Sequence, residues 1–512
     1  MKKRKLLAGL LCSLLTLSTG FSACGEGLEK NAPDYSASKK QFTTWAYAAV
    51  YDGWWQTIDE NNQTIRLENS EATPVAVTTK ASLQEYKEAG FNTLLINYVA
   101  PYNSLTERWE GSRTKEIMDW SAELGLQCIL FESSIRGLAN THESLINPEK
   151  ADGKKFFNSQ DELNAYVYNN VKEVIAHPAF YGFSVLDEPP YTVFPAFGQV
   201  YEAVQACAPG AFVNMNLLGM GTDHNSNTKT KYCEGAGQMP IYDAYMKHIE
   251  LYAEHTKAPY IQVDVYPIRG TDEEPTLTGN ALRTPYVLAE FCKERDMDLY
   301  YVLQSSGFTV GFNDAVTPIC RNPKKRDMYW QTNVAMAFGV KSYSYWGYYP
   351  VVNTASEHYD QTSSFLDIAG NKNEMYYWMQ DIHEEMQQTA KAILNFEYQT
   401  ANVFYKAPIS GYKLHLSGFE KNNYKKLLSY EAETEGGYLL TEFYDKGNDR
   451  YGYFLVNVAD PAYAGSGKVK MTFDGYNKVQ LYDRGQVSNK AIAKSTLTLE
   501  LGVGQGMFII PY

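Results

Sequence analysis

The sequence predicts an α/β fold class, a (β/α)8 TIM barrel, followed by a small all-β sandwich. Apolar strand candidates alternate with amphipathic helix candidates over about 300 residues, and eight parallel strands are the number that closes a barrel. After Asn395 the apolar residues recur with period two, and the turns are rich in Gly, Asn and Asp. A doubly wound open sheet alternates in the same way, but no glycine-rich phosphate loop follows the first strand.

Each predicted barrel strand is a short apolar run, and several follow a glycine that stops the preceding helix, as Gly125 does before Leu126. The predicted strands are Thr43–Ala49, Phe91–Tyr98, Leu126–Ser133, Phe180–Glu188, Ala211–Leu218, Tyr260–Ile268, Asp298–Ser306 and Ser342–Tyr349. Helices are predicted at Ser82–Ala89, Arg113–Leu124, Gln160–Ala176, Ile241–His255, Leu282–Arg295 and Lys324–Phe338. The sandwich strands are predicted at Gly437–Tyr444, Tyr451–Asn457, Lys468–Phe473, Lys478–Tyr482, Thr496–Leu501 and Met507–Ile510.

The N-terminal residues have the pattern of an export signal. A basic stretch, Lys2–Lys5, precedes the apolar run Leu6–Leu17, which is too short for a transmembrane helix. The small residues before Cys24 are similar to those of a bacterial lipoprotein signal, which implies lipidation of that cysteine; secretion with cleavage nearby is the alternative. We therefore expect a signal peptide over 1–23, a lipid-anchored linker over 24–40, the barrel over 41–395 and the sandwich over 396–512. This predicts anchoring to the extracellular face of a bacterial cell membrane.

The composition of the 512 residues excludes some classes of function. The chain is 44% hydrophobic and 21% charged, which is typical of folded globular proteins. Its net charge of −13 disfavours nucleic acid as a partner, because a polyanion requires a basic surface. The scattered cysteines and isolated histidines lack metal-ligand spacing, so we expect no metal and no cofactor.

Carboxylates interrupt the apolar pattern near the ends of three predicted strands. They are Glu132 on the third, Asp187 and Glu188 on the fourth, in the run FYGFSVLDEPP, and Asp264 on the sixth. In such a barrel, catalytic groups project from the carboxyl ends of the strands. Two carboxyl groups at one rim are what glycoside hydrolysis requires, although Asp187 and Glu132 each have a structural alternative. For Glu132 that alternative is an ion pair with Arg136 or Arg113.

Amide and aromatic side chains occupy the same predicted rim. Amides hydrogen-bond sugar hydroxyls, and aromatic rings stack on the apolar faces of sugar rings. With Asp187 and Glu132, the candidate substrate-binding residues are Tyr47, Asn97, Asn216, Tyr266, Gln304 and Trp346.

The D-E-P ending of the fourth strand resembles the N-E-P of clan A glycoside hydrolases, whose barrels carry the acid/base glutamate there. The resemblance implies this role for Glu188 and places Asp187 where the asparagine is expected. It also implies a substrate-binding tryptophan at Trp346. The clan's nucleophilic glutamate belongs at the end of strand seven, where this chain has Gln304.

We therefore hypothesise that Glu188 is the general acid and Asp264 the second carboxylate, with Glu132 in reserve. Retention or inversion depends on the separation of the two carboxyl groups. The expected function is extracellular hydrolysis of an oligo- or polysaccharide. The alternative is a non-catalytic carbohydrate-binding surface lipoprotein on a degenerate barrel.

Overall fold

The computed structural model describes residues 31–50, 55–58, 64–67, 78–96, 102–148, 153–221, 229–312, 315–350, 358–361, 364–367, 370–406 and 423–512. Eight parallel strands form one sheet in the order β1-β8-β7-β6-β5-β4-β3-β2, so the predicted barrel is confirmed. Most strands are shorter than predicted. They are β1 Thr43–Ala46, β2 Thr93–Ile96, β3 Gln127–Leu130, β4 Phe180–Asp187, β5 Phe212–Leu217, β6 Tyr260–Asp264, β7 Asp298–Gln304 and β8 Ser342–Trp346.

Asn92 joins the first and last strands of this order. Its side-chain oxygen accepts from Thr44 N at 2.9 Å, and its amide nitrogen donates to Phe42 O at 2.6 Å. Its backbone N donates to Thr44 O at 3.2 Å. One asparagine therefore connects β1 to β2 where the ladder of regular pairs ends.

Helices pack around the strands, as the 3.6-residue periodicity predicts. The helix that precedes β3 begins at the side-chain cap of Ser112 and ends at Gly125, whose φ of 72° is the left-handed conformation expected of a helix-stopping glycine. No helix of the described ranges is long and apolar enough to span a bilayer. The helices are α1 Lys80–Glu88, α2 Arg113–Leu124, α3 Ser133–Ala139, α4 Gln160–Ile175, α5 Phe194–Cys207, α6 Ile241–Thr256, α7 Arg283–Arg295, α8 Lys325–Ala337 and α9 Glu374–Ile393.

Short additional strands follow β1, β6, β7 and β8. Because they come after barrel strands, they lie at the carboxyl end of the barrel. They pair as Trp55–Ile58 with Thr64–Leu67, Ile268–Gly270 with Pro275–Leu277, and Phe308–Phe312 with both Ala315–Cys320 and His358–Gln361.

The C-terminal region is the predicted β-sandwich. Its larger sheet has the order β9-β11-β12-β17-β14-β15 and its smaller sheet the order β10-β13-β16. The strands are β9 Glu397–Tyr405, β10 Leu427–Ala432, β11 Gly437–Asp445, β12 Arg450–Asn457, β13 Ser466–Phe473, β14 Lys478–Asp483, β15 Gln486–Ala491, β16 Thr496–Gly502 and β17 Gly506–Pro511.

The central strands of the larger sheet, β11, β12, β17 and β14, are buried on both faces, whereas its edge strand β15 is exposed. On β12, Phe454 and Val456 belong to the barrel's hydrophobic core, whereas Tyr453 and Leu455 belong to the core between the two sheets. Successive strand residues face opposite ways, so each strand serves two cores. This explains the nearly continuous apolar run of β17, MFII. The sandwich therefore packs against the barrel and supports it.

Residues 31–38 contact the sandwich, although the sequence suggested a linker up to residue 40. Gln480 donates to the backbone oxygen of Pro33 at 2.9 Å, and the Tyr35 hydroxyl donates to Asp445 at 2.6 Å. Tyr35 is buried, with its ring 5.7 Å from that of Phe396. Burial of Pro33 and Tyr35 holds this stretch in place, so the polar composition of 24–40 did not reveal it.

Candidate active site

The acidic end of β4 lies at the mouth of the barrel, with Glu188 in an unusual backbone conformation. Its φ is 44°, which non-glycine residues adopt rarely. Its backbone N donates to Asn216 O at 2.9 Å, which extends the β4–β5 ladder by one residue. Lys231 Nζ donates to the carbonyl of Glu188 at 3.2 Å. These two contacts hold the left-handed turn and thereby set the direction of the Glu188 side chain.

Asp264, the last residue of β6, meets Glu188 directly. Its carboxyl group is hydrogen-bonded to the carboxyl of Glu188 and to the side chain of Tyr266, and it is only 6% exposed. Burial, and then the negative charge of Glu188, raise the pKa of Asp264 well above its usual range. Two carboxyl groups in contact must share a proton, because two adjacent charges repel each other strongly. The sequence-predicted pair is therefore assembled as one acidic unit.

Asp187 stands beside this pair and is held by β5. Asn216 Nδ2 donates to Asp187 Oδ1 at 2.9 Å, and the two residues are register partners in the β4–β5 ladder. Solvent reaches Asp187 from the barrel mouth, while protein surrounds it on its other sides. Desolvation, and then the charge of Glu188, raise the pKa of Asp187 to about 6, although the bond from Asn216 opposes this rise.

Aromatic rings from β8 and from the residue after β1 lie against one another inside the barrel. The Tyr47 and Trp346 rings are 5.2 Å apart, and Trp45 lies 4.9 Å from Tyr47. Gln262 Nε2 approaches the Tyr47 hydroxyl at 3.5 Å, two residues before Asp264 on the same strand. Tyr47 is buried, whereas Trp346 is partly exposed. Trp346 therefore offers the part of this cluster that a sugar ring can contact.

Glu132 has a different environment from the other strand-end carboxylates. It caps α3: Oε2 accepts from Ile135 N at 2.8 Å and from Ser134 Oγ at 2.5 Å. Oε1 accepts from the hydroxyl and the backbone N of Ser104 at 2.8 and 3.2 Å. With 1% exposure and four donors, this carboxylate has no free oxygen for a substrate.

The two arginines proposed as partners of Glu132 have other contacts in the structure. Arg136 lies over the Phe131 ring at 4.2 Å, and Arg113 pairs with Glu116 at 2.5 Å. The carboxylate of Glu132 accepts from four uncharged or backbone donors, so it does not need an arginine to balance its burial.

Gln304, at the end of β7, is also fully engaged. Its Nε2 donates to the backbone oxygens of Ile268, Ser306 and Arg321 at 3.1–3.2 Å, and its Oε1 accepts from Ile268 N at 3.0 Å. The side chain ties together the loops after β6 and β7. In this arrangement it has no amide hydrogen left for a sugar hydroxyl.

Two predicted residues, Asn97 and Cys24, lie outside the described residues. Conversely, sequence reasoning gave no site role to Lys231 or Arg136, which affect the electrostatics of Asp187. Lys231 follows a polar stretch of sequence with no periodic pattern, so no local signal points to it.

The sequence matches no protein-family model and no curated protein. Solved structures similar to the chain include a β-galactosidase from Marinomonas, with 12% identity and a TM-score of 0.37 over 61% of this chain and 58% of that one. A GH30 endoxylanase from Clostridium papyrosolvens has 11% identity and a TM-score of 0.35, with coverage of 93% and 97%. A GH27 β-L-arabinopyranosidase from Geobacillus stearothermophilus has 10% identity and a TM-score of 0.43, with the same coverage.

Proposed function

We propose that this protein is a glycoside hydrolase in which Asp264 and Glu188 carry the reaction. The observation that carries the proposal is the carboxyl–carboxyl contact between them at the carboxyl end of the barrel. Hydrolysis of a glycoside needs one carboxyl group that holds a proton and one that is ionised, and a shared proton supplies both. The partly exposed ring of Trp346, at the carboxyl end of β8 in the same barrel, suits a sugar substrate.

We assign the proton to Asp264, whereas the sequence-based hypothesis assigned it to Glu188. Asp264 is the more buried of the two, and burial favours the neutral form of a carboxyl group. In the reaction, Asp264 protonates the glycosidic oxygen as its bond to the anomeric carbon breaks. Glu188 attacks that carbon and forms an ester. Asp264, now ionised, then removes a proton from the water molecule that hydrolyses this ester.

Direct contact favours retention of configuration. Inverting enzymes keep their carboxyl groups about 6.5–9.5 Å apart to admit a water molecule, and retaining enzymes about 5–5.5 Å apart. Two hydrogen-bonded carboxyl groups leave no room for water between them, and a small separation on substrate binding reaches the shorter range.

The roles are tested with two leaving groups. Asp264→Asn should retain far more activity on dinitrophenyl glycosides than on unactivated ones, because a dinitrophenolate leaves without a proton. Loss of the general acid should cost about 10²–10⁴-fold on the unactivated substrate. Glu188→Gln should be inactive on both. Asp298→Asn, at the opposite end of the barrel, is the matched control.

Several outcomes contradict the proposal. If Glu188→Gln behaves as expected for Asp264→Asn, and the reverse, then Glu188 is the general acid. If NMR shows that the first product has inverted configuration, the ionised carboxylate activates water and does not attack the anomeric carbon. Near-normal turnover in Glu188→Gln would end the assignment. Binding of glycans without any product would favour the alternative, a carbohydrate-binding lipoprotein.

We also propose that the protein is anchored at Cys24 on the extracellular face of a bacterial cell membrane. The basic and apolar N-terminal pattern supports this. Labelling with a palmitate analogue should occur in the natural protein and disappear in Cys24→Ala; equal labelling of both would overturn it.

A further inference from the structure

Arg136, near the candidate active site, is a cation with no ion-pair partner among the described residues. It belongs to α3, which follows β3 directly, and its guanidinium lies over the Phe131 ring at 4.2 Å. Its side chain is exposed and makes no hydrogen bond or ion pair with any residue that the structure describes. A guanidinium held flat on a ring keeps its edge of N–H donors available to a planar anion.

Lys231 adds a second positive charge on the same side of the mouth. Its ammonium group donates to the backbone oxygen of Glu188 at 3.2 Å and has no carboxylate partner among the described residues. The charges of Lys231 and Arg136 both act on Asp187 and lower its pKa against the larger effects that raise it. Lys231 contacts the backbone of Glu188, and Arg136 lies on α3, which contacts β4, so both cations stand near the carboxyl cluster.

Neutralisation of the acidic cluster does not account for the positions of Arg136 and Lys231. A cation that served that purpose would form an ion pair, as Arg321 does with the buried Asp327 at 2.6 Å elsewhere in the barrel. The chain is strongly acidic, and exposed cations elsewhere, such as Lys80, are often paired with carboxylates. Two unpaired cations at the mouth are thus available for an anion that arrives with the substrate.

We propose that the substrate contains a uronic acid residue, whose carboxylate Arg136 binds through two parallel hydrogen bonds while Lys231 contributes charge. Arginine and carboxylate groups match in this geometry, because both are planar and forked. This inference rests on the proposed glycoside hydrolase function and specifies its substrate class.

The test compares sugars that differ only in this carboxylate. Aryl glucuronides and glucosides of the same linkage form one pair, and aryl galacturonides and galactosides form another. We expect the natural protein to prefer the uronide in at least one pair. Arg136→Gln should lower the uronide-to-neutral ratio of kcat/KM by about 10–100-fold, mainly through KM, as expected for loss of a charge-assisted pair. Arg136→Lys should lower it less, because the charge remains while the fork is lost.

Arg295→Gln is the matched control, since Arg295 also stacks on a phenylalanine, Phe291, at 3.8 Å, but near the opposite end of the barrel. It should leave the ratio unchanged. A ratio that Arg136→Gln does not alter, preference for the neutral sugar in both pairs, or cleavage of sulfated sugars alone would overturn the inference while leaving the hydrolase proposal intact. Failure to cleave any glycoside, neutral or anionic, would instead refute the proposed function.

Discussion

Glu132→Gln tests whether the buried carboxylate after β3 serves the fold or the chemistry. Glutamine has nearly the same size but offers one acceptor oxygen in place of two. Two of the four donors around Glu132 therefore lose their acceptor. At about 1–3 kcal/mol for each buried donor left unpaired, the free energy of unfolding should fall by about 2–6 kcal/mol.

This loss is measurable by thermal unfolding. An unfolding entropy of about 2.1 cal/mol/K per residue over a cooperative unit of roughly 350 residues converts it into a fall in Tm of about 3–8 °C. Below both midpoints, kcat/KM should stay within about threefold of the natural value. Glu107→Gln is the control and should change neither quantity by much, because this exposed carboxylate accepts only from Asn103 N among the described residues. A fall in kcat/KM of about 100-fold with an unchanged Tm would refute the structural role and restore Glu132 as a catalytic candidate.

Three further predictions concern the N-terminal segment, the barrel wall and pH. Tyr35→Phe removes the hydrogen bond to the Asp445 carboxylate and should lower the free energy of unfolding by about 1.5–3 kcal/mol in a denaturant titration; an unchanged midpoint would contradict the packing of residues 31–38. Gly182→Ala would place a methyl group 1.9 Å from Phe212 O, so we expect little folded protein by circular dichroism, and a natural-like spectrum would count against this close approach. Because the pKa of Asp187 is raised to about 6, folding binds a proton there, and its contribution to stability declines as pH rises from about 4 to 6. Asp187→Asn should flatten that decline, and an identical pH profile would be inconsistent with it.

The strand and helix pattern was readable from the sequence because burial imposes local periodicities. The alternation of apolar runs, the glycine stop at Gly125 and the proline-terminated acidic end of β4 are all local signals. They predicted eight barrel strands and a sandwich, and they placed Glu188 and Asp264 at one rim.

Local signals could not separate a helix cap from a catalytic carboxylate. Glu132 and Asp264 both interrupt apolar strands, yet Glu132 meets four donors while Asp264 meets another carboxyl group. Two donors to Glu132, Ser134 and Ile135, are close in the chain, but the rest of the difference comes from distant residues, Ser104 in one case and Glu188 in the other. The same holds for Gln304. Its amide donates to backbone oxygens of loops that approach it only in the folded barrel.

By itself, the sequence determined the order and kind of the elements, because periodic burial and turn residues act over a few neighbouring positions. Tertiary structure alone decided which carboxyl groups share a proton, which strands are buried on both faces and which cations have no carboxylate partner among the described residues. These depend on the closure of the barrel, which brings the ends of β4 and β6 together across β5, and on the packing of the sandwich against α8 and α9. Protonation and charge pairing follow from distance and burial, and both are properties of the assembled fold.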